Sequence, residues 1–219
     1  MKKYLVLLLL FLVGGYFFFF SSGVPDAEPN QIIHSGIIVA LGDSLTEGTG
    51  VSESHSYPSL LKFRLEQEGY DHYTILNHGV SGDTTRDGLA RLEDIFTETH
   101  PEIVIVALGA NDALQRFPVQ ETQEYLRKIL RIIQEYDAKI LLVGILPPPT
   151  RGFSYISAFE TMYENLAREF DAVLMPSLLS GVMMRSEYNL ADNMHPNEKG
   201  YRIIAENLWP YLRILLREK

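Results

Sequence analysis

Residues 37–48 read Ile-Ile-Val-Ala-Leu-Gly-Asp-Ser-Leu-Thr-Glu-Gly, and this stretch decides the fold. Ile37–Leu41 is apolar on both faces, with no polar alternation, as in a strand covered by helices on both sides. Working outward, short apolar runs recur at Tyr73–Leu76, Ile103–Leu108, Ile140–Ile145 and Ala172–Leu174, separated by longer amphipathic segments. That alternation marks parallel strands joined by crossover helices. Helical periodicity is clearest in Glu121–Tyr136, where Leu126, Ile129, Leu130 and Ile133 share one stripe, and near the C-terminus, where Ile204, Leu208, Leu212 and Leu215 do. Pro196 is expected in the first turn of that last helix, where a missing N–H costs nothing. The pattern predicts a three-layer α/β/α sandwich around a five-stranded, mainly parallel sheet. In such sheets ligands bind beyond the carboxyl ends of the strands.

Composition narrows the chemistry. The 219 residues suit one catalytic-sized domain, and a 46% hydrophobic content supplies its core. Nineteen basic residues against 28 acidic ones give a net charge of -9, which disfavours binding to nucleic acid through phosphate neutralisation. The chain has no cysteine, which removes thiolate catalysis, Cys-ligated zinc, disulfides and a lipidated cysteine anchor. Lys2 and Lys3 precede an uncharged apolar run from Tyr4 to Phe20, which reads as an export segment rather than part of the fold. Residues 1–23 are therefore expected to be a signal peptide or an N-terminal membrane anchor. The run approaches the lower limit of about 17 residues for a spanning helix, while Ser21, Ser22 and Gly23 offer a small-residue cleavage site. If retained, residues 4–20 would associate with the membrane. Residues 24–36 read as a linker and 37–219 as the domain, exported to the periplasm or held at the inner membrane facing outward.

Four segments that follow strands, or precede the last helix, carry polar chemistry. Gly42-Asp43-Ser44-Leu45 follows the first strand; a serine there can aim its hydroxyl into the crevice with its own N–H free for an oxyanion, or it can simply cap a helix. Asn77-His78-Gly79-Val80-Ser81-Gly82-Asp83-Thr84 follows the second, either bringing the Gly82 backbone close to a substrate or forming a turn capped by Thr84 or Asp83. Gly109-Ala110-Asn111-Asp112 follows the third, where the Asn111 amide is either an oxyanion donor or a turn residue. Asp192-Asn193-Met194-His195-Pro196 offers a base and an acceptor to fix its tautomer, three residues apart. No H-E-x-x-H, clustered histidines or phosphate-loop glycines appear, so a metal pair and a nucleotide site are disfavoured. His34, His55, His72, His78 and His100 read as structural or solvated.

These four blocks, in this order from about Ile37 to Leu216, resemble the GDSL/SGNH hydrolase family. Val80–Thr84, Gly88–Leu92 and Gly109–Asp112 are most similar to its acyl-CoA thioesterase I/lysophospholipase L1/arylesterase branch. The resemblance implies a flavodoxin-like SGNH hydrolase fold. It also implies Ser44 as nucleophile, His195 as general base and Asp192 as its orienting carboxylate, with an oxyanion hole made by the Ser44 and Gly82 N–H groups and the Asn111 amide. Asp43 is then structural, and neither cofactor nor metal is implied. The expected substrates are acyl esters: fatty-acyl esters, lysophospholipids or acyl thioesters. A carbohydrate O-deacetylase and a non-catalytic envelope-binding module are the alternatives. Leu146–Tyr155, with three prolines and two aromatics, reads either as a wall of the acyl pocket or as an ordinary surface connection.

Overall fold

A computed structural model describes residues 36–217. The expected export segment at residues 1–23, most of the expected linker and His34 lie outside the described residues. Five strands form one sheet: β1 (Gly36–Gly42), β2 (Tyr73–Gly79), β3 (Ile103–Ala107), β4 (Lys139–Val143) and β5 (Val173–Met175). Their order is β2-β1-β3-β4-β5, and every neighbouring pair is parallel. The chain leaves β1 toward β2 on one side and then crosses to β3 on the other. A crevice therefore opens at the carboxyl ends of β1 and β3.

Eight helices fill the connections among the described residues. α1 (Ser44–Glu47) and α2 (Tyr57–Gln67) join β1 to β2; α3 (Thr85–Ala90) and α4 (Leu92–Thr99) join β2 to β3. α5 (Ala110–Gln115) and α6 (Val119–Glu135) lead to β4, α7 (Phe153–Glu169) leads to β5, and α8 (Glu198–Arg217) ends the chain. Because side chains alternate along a strand, Ile38 and Ala40 of β1 join one core while Val39 and Leu41 join the other. The first core is closed by Leu61 and Leu65 of α2 and by Ile204, Leu208 and Leu212 of α8. The second is closed by Phe96 of α4, Leu126 and Ile129 of α6, and Phe159 of α7. All these side chains are buried, and each Val, Leu, Ile and Phe among them contributes about 1.5–3 kcal/mol relative to exposure. The two helical stripes read from periodicity are thus the faces that meet the sheet.

Several boundaries differ from expectation: β3 ends at Ala107, β4 spans Lys139–Val143, β5 lies one residue later at Val173–Met175, and α6 runs from Val119 to Glu135. β1 begins at Gly36, one residue before the expected start at Ile37. β2 runs to Gly79 rather than Leu76, because its polar end is paired to β1 through Asn77, His78 and Gly79. Pro196 lies outside α8, which begins at Glu198; it forms an isolated antiparallel bridge with Asn189 instead. A proline needs no donor there, and the bridge closes the loop carrying Asp192 and His195. Among the described residues no helix is long and apolar enough to cross a membrane.

Candidate active site

Ser44 is the first residue of α1, and the cap belongs to its neighbour: Asp43 Oδ1 accepts the Leu45 N–H at 3.0 Å. That leaves the serine hydroxyl free of capping duty. Asp43 is fully buried and its Oδ2 has no partner, so burial pushes its carboxyl up to about 7. The short helix is fixed at its other end by Asn77, whose amide donates to the carbonyls of Thr46 and Glu47 at 3.0 and 3.3 Å. β2 passes against α1 so closely that a Cβ at Gly79 would meet the Glu47 nitrogen at 2.1 Å. Only glycine permits that approach.

The Ser44 hydroxyl lies 3.0 Å from His195 Nε2, and His195 Nδ1 lies 2.7 Å from Asp192 Oδ2. An ionised carboxylate can only accept, so the ring proton sits on Nδ1 and Nε2 presents its lone pair to the serine O–H. Asp192 is itself held in a tight turn, its Oδ1 accepting the Met194 and His195 N–H groups at 2.9 and 3.0 Å. The hydrogen bond from the His195 ring, followed by those two backbone donors, holds the carboxyl down at about 2. Asp192 stays ionised although its side chain is 46% exposed.

Gly82 sits in a turn closed by the Asp83 N–H on the Val80 carbonyl at 3.1 Å, with φ +91°. An added Cβ would meet nothing within 4 Å, so this position needs glycine for its backbone angle rather than for space. Thr84 caps α3 reciprocally with Asp87. The Asn111 amide donates one N–H to the Asp83 carbonyl at 2.9 Å, which fixes its plane and leaves the second N–H free. Among the described residues, the Ser44 and Gly82 N–H groups donate to no protein acceptor.

Ser44, Gly82, Asn111, Asp192 and His195 all line one cavity of about 390 Å³. The structure therefore brings together every residue singled out for the site. The rest of the lining is largely apolar, with Leu114, Ile145, Leu146, Leu179, Met183 and Met184 among it. His55, His72, His78 and His100 are not part of it, and the described residues gather no cluster of three metal-ligating side chains. The pocket-wall reading of Leu146–Tyr155 is only partly right. Leu146, Pro148 and Pro149 line the cavity, but Phe153 is 85% exposed and Tyr155 donates its hydroxyl to the Phe117 carbonyl at 2.7 Å. Sequence reasoning missed Leu179, Met183 and Met184, which come from the irregular segment between β5 and α8. The adjacent methionines were the available signal, since flexible thioethers suit a surface that adapts to an apolar guest.

A profile of the GDSL-like lipase/acylhydrolase family matches residues 40–203, and the chain belongs to that family. It is 36% identical over 179 residues to esterase TesA of Pseudomonas aeruginosa, covering 82% of this chain and 89% of that protein. It is also 36% identical over 169 residues to thioesterase 1/protease 1/lysophospholipase L1 of Escherichia coli K12, covering 77% and 79%. The fold superposes with a TM-score of 0.79 on a psychrotrophic esterase EstA from Pseudoalteromonas sp., in a structure inhibited by monoethylphosphonate. The two chains are 27% identical, with 84% of this one and 100% of that one covered.

Proposed function

We propose that this ester-hydrolysing enzyme cleaves fatty-acyl esters, lysophospholipids or acyl thioesters by two-step acyl transfer. His195 takes the Ser44 proton as the hydroxyl oxygen attacks the substrate carbonyl. The Ser44 and Gly82 N–H groups and the Asn111 amide hold the oxyanion, and Asp192 stabilises the imidazolium. Collapse expels the alcohol or thiol, protonated by His195; water activated by the same ring then releases the acid. The observation that carries this reading is the unbroken Asp192–His195–Ser44 hydrogen-bond chain opening onto an apolar cavity. The names of the relatives, an esterase and a thioesterase/lysophospholipase, support the same substrate class.

A carbohydrate O-deacetylase would need room only for acetate and polar contacts for a sugar. A cavity of about 390 Å³ with Leu and Met walls fits a longer aliphatic chain better. Export, proposed from residues 1–23, would keep the enzyme from cytosolic acyl-CoA and favours lysophospholipids or other fatty-acyl esters.

Initial rates across p-nitrophenyl esters from acetate to palmitate, for the protein and its Ser44→Ala variant, test the proposal. A Ser44-dependent optimum at medium or long chains supports it. Activity confined to acetate returns the deacetylase, and retained turnover in Ser44→Ala removes the nucleophile. A protein that hydrolyses none and takes no label from a fluorophosphonate is a binding module.

A further inference from the structure

Arg91 has no part in the site as described so far, yet it touches the chain near Ser44 and beside Gly82, and Asp83, which it grips, also holds Asn111. It is the single residue between α3 and α4, with φ -107° and ψ 2°. Its Nε donates to Asp83 Oδ2 at 2.8 Å, and its Nη2 donates to the His78 and Gly42 carbonyls at 2.8 and 3.0 Å. Gly42 ends β1 two residues before Ser44. His78 is the penultimate residue of β2, four residues before Gly82. Asp83 follows Gly82, and its carbonyl receives the Asn111 amide at 2.9 Å.

Two main-chain bonds tie this region to the sheet and to itself. The Val80 N–H reaches the Gly42 carbonyl at 3.1 Å, and the Asp83 N–H closes the turn on Val80. Between those two bonds sits Gly82, at an angle with no side chain to brace it. The guanidinium supplies the brace: the Arg91 and Asp83 side chains are 23% and 12% exposed, so their ion pair is largely withdrawn from water. A planar fork can satisfy a carboxylate and two carbonyls at once, whereas a lysine ammonium is a point charge that cannot span them.

We infer that Arg91 is a positioning residue that sets the spacing of the three oxyanion donors by pinning the Gly82 turn to the ends of β1 and β2. The inference rests on the acyl-transfer reading above. Donors fixed before charge develops cost no reorganisation as the oxyanion forms, and small displacements of such groups are expensive in rate. The nucleophile and base are untouched by Arg91, so its effect falls on transition-state stabilisation and not on substrate binding or on the ionisation of the base.

Steady-state kinetics of Arg91→Ala, Arg91→Lys, Asn111→Ala and the Arg91→Ala/Asn111→Ala double variant test this, below their melting temperatures and normalised to folded protein. The expected result for Arg91→Ala is a kcat lower by about 10- to 100-fold. KM should stay within about threefold, the pH dependence of kcat should be unchanged, and Arg91→Lys should recover only part of the loss. The double variant should lose less than the product of the single losses, because Arg91 acts through the donors it positions. Losses that multiply, full rescue by lysine, or a kcat per folded molecule equal to the parent's would each overturn the assignment. Should Arg91→Ala fail to fold, Asp83→Ala removes the Nε partner while keeping the carbonyl that holds Asn111, and a parental kcat there overturns it equally. An inactive parent protein defeats the acyl-transfer reading and this inference with it; an active parent with an undisturbed Arg91→Ala defeats this inference alone.

Discussion

Asp112 and Thr85, which are 27 residues apart in sequence, are joined twice: the Thr85 N–H and hydroxyl both donate to the Asp112 carboxylate, at 2.9 and 2.5 Å. Both residues are fully buried, and Thr122 adds a third, longer contact at 3.4 Å. The pair couples α3, which follows the Gly82 turn, to α5, which carries Asn111. Thr85→Val keeps the shape and the backbone bond but leaves the buried carboxylate one donor short. It should destabilise the protein by about 1–3 kcal/mol, read from denaturant titration. An unchanged midpoint would mean that Thr122 or water compensates.

Asp192→Asn preserves a carbonyl oxygen for the turn while offering an N–H to the ring. The histidine would then carry its proton on the wrong nitrogen, and kcat should fall on the order of 10⁴-fold with the fold intact. Because the Asp192 carboxyl sits at about 2, below its ordinary 3.8, its contribution to stability is complete above about pH 4 and is lost as pH falls through 2. Activity lost between pH 7 and 5 therefore cannot come from Asp192. The stability difference between the parent and Asp192→Asn, read from denaturant titrations at a series of pH values, should be constant above about pH 4 and shrink as pH falls toward 2.

Asn111→Ala should cost about 2.7–4 kcal/mol of transition-state stabilisation, seen as a fall in kcat with little change in KM. A variant with normal kcat would transfer the oxyanion role to the two backbone donors alone.

Asp43→Asn keeps the oxygen that caps α1 and removes the charge. The folded value of about 7 lies above the ordinary 3.8, so the folded state holds a proton that the unfolded state has released. Stability from this group therefore declines as pH rises from about 4 to 7. The melting temperature of Asp43→Asn relative to the parent should rise between pH 5 and pH 8. An equal difference at both values would show that this carboxyl does not titrate in that range.

What hydropathy could see was whatever lay inside the two cores. β1, β3 and β4 are continuous apolar runs because helices cover both faces, and the stripes of α6 and α8 follow from one-sided burial. Ser44, Gly82 and Asn111 were legible for a related reason: they fall soon after strand ends, next to one crevice, while Asp192 and His195 were legible from their three-residue spacing before the last helix. Polar contacts between distant segments left no such trace. Asn77 extends β2 by bonding Thr46 and Glu47, and Pro196 leaves the helix to pair with Asn189. Neither partner is implied by local pattern. The cavity wall at Leu179, Met183 and Met184 comes from a segment without periodicity, whereas Phe153, whose aromatic character suggested a lining role, faces solvent.

The acid and base sit three residues apart in one self-bonded turn, while the serine they serve lies 151 residues earlier. Among the described residues, the proposed triad is therefore closed by one contact between distant segments, Ser44 with His195. On that reading neither half has a function alone: the serine waits at the end of β1 until the loop before α8 is seated beside it. Turnover would then report that those two segments are docked.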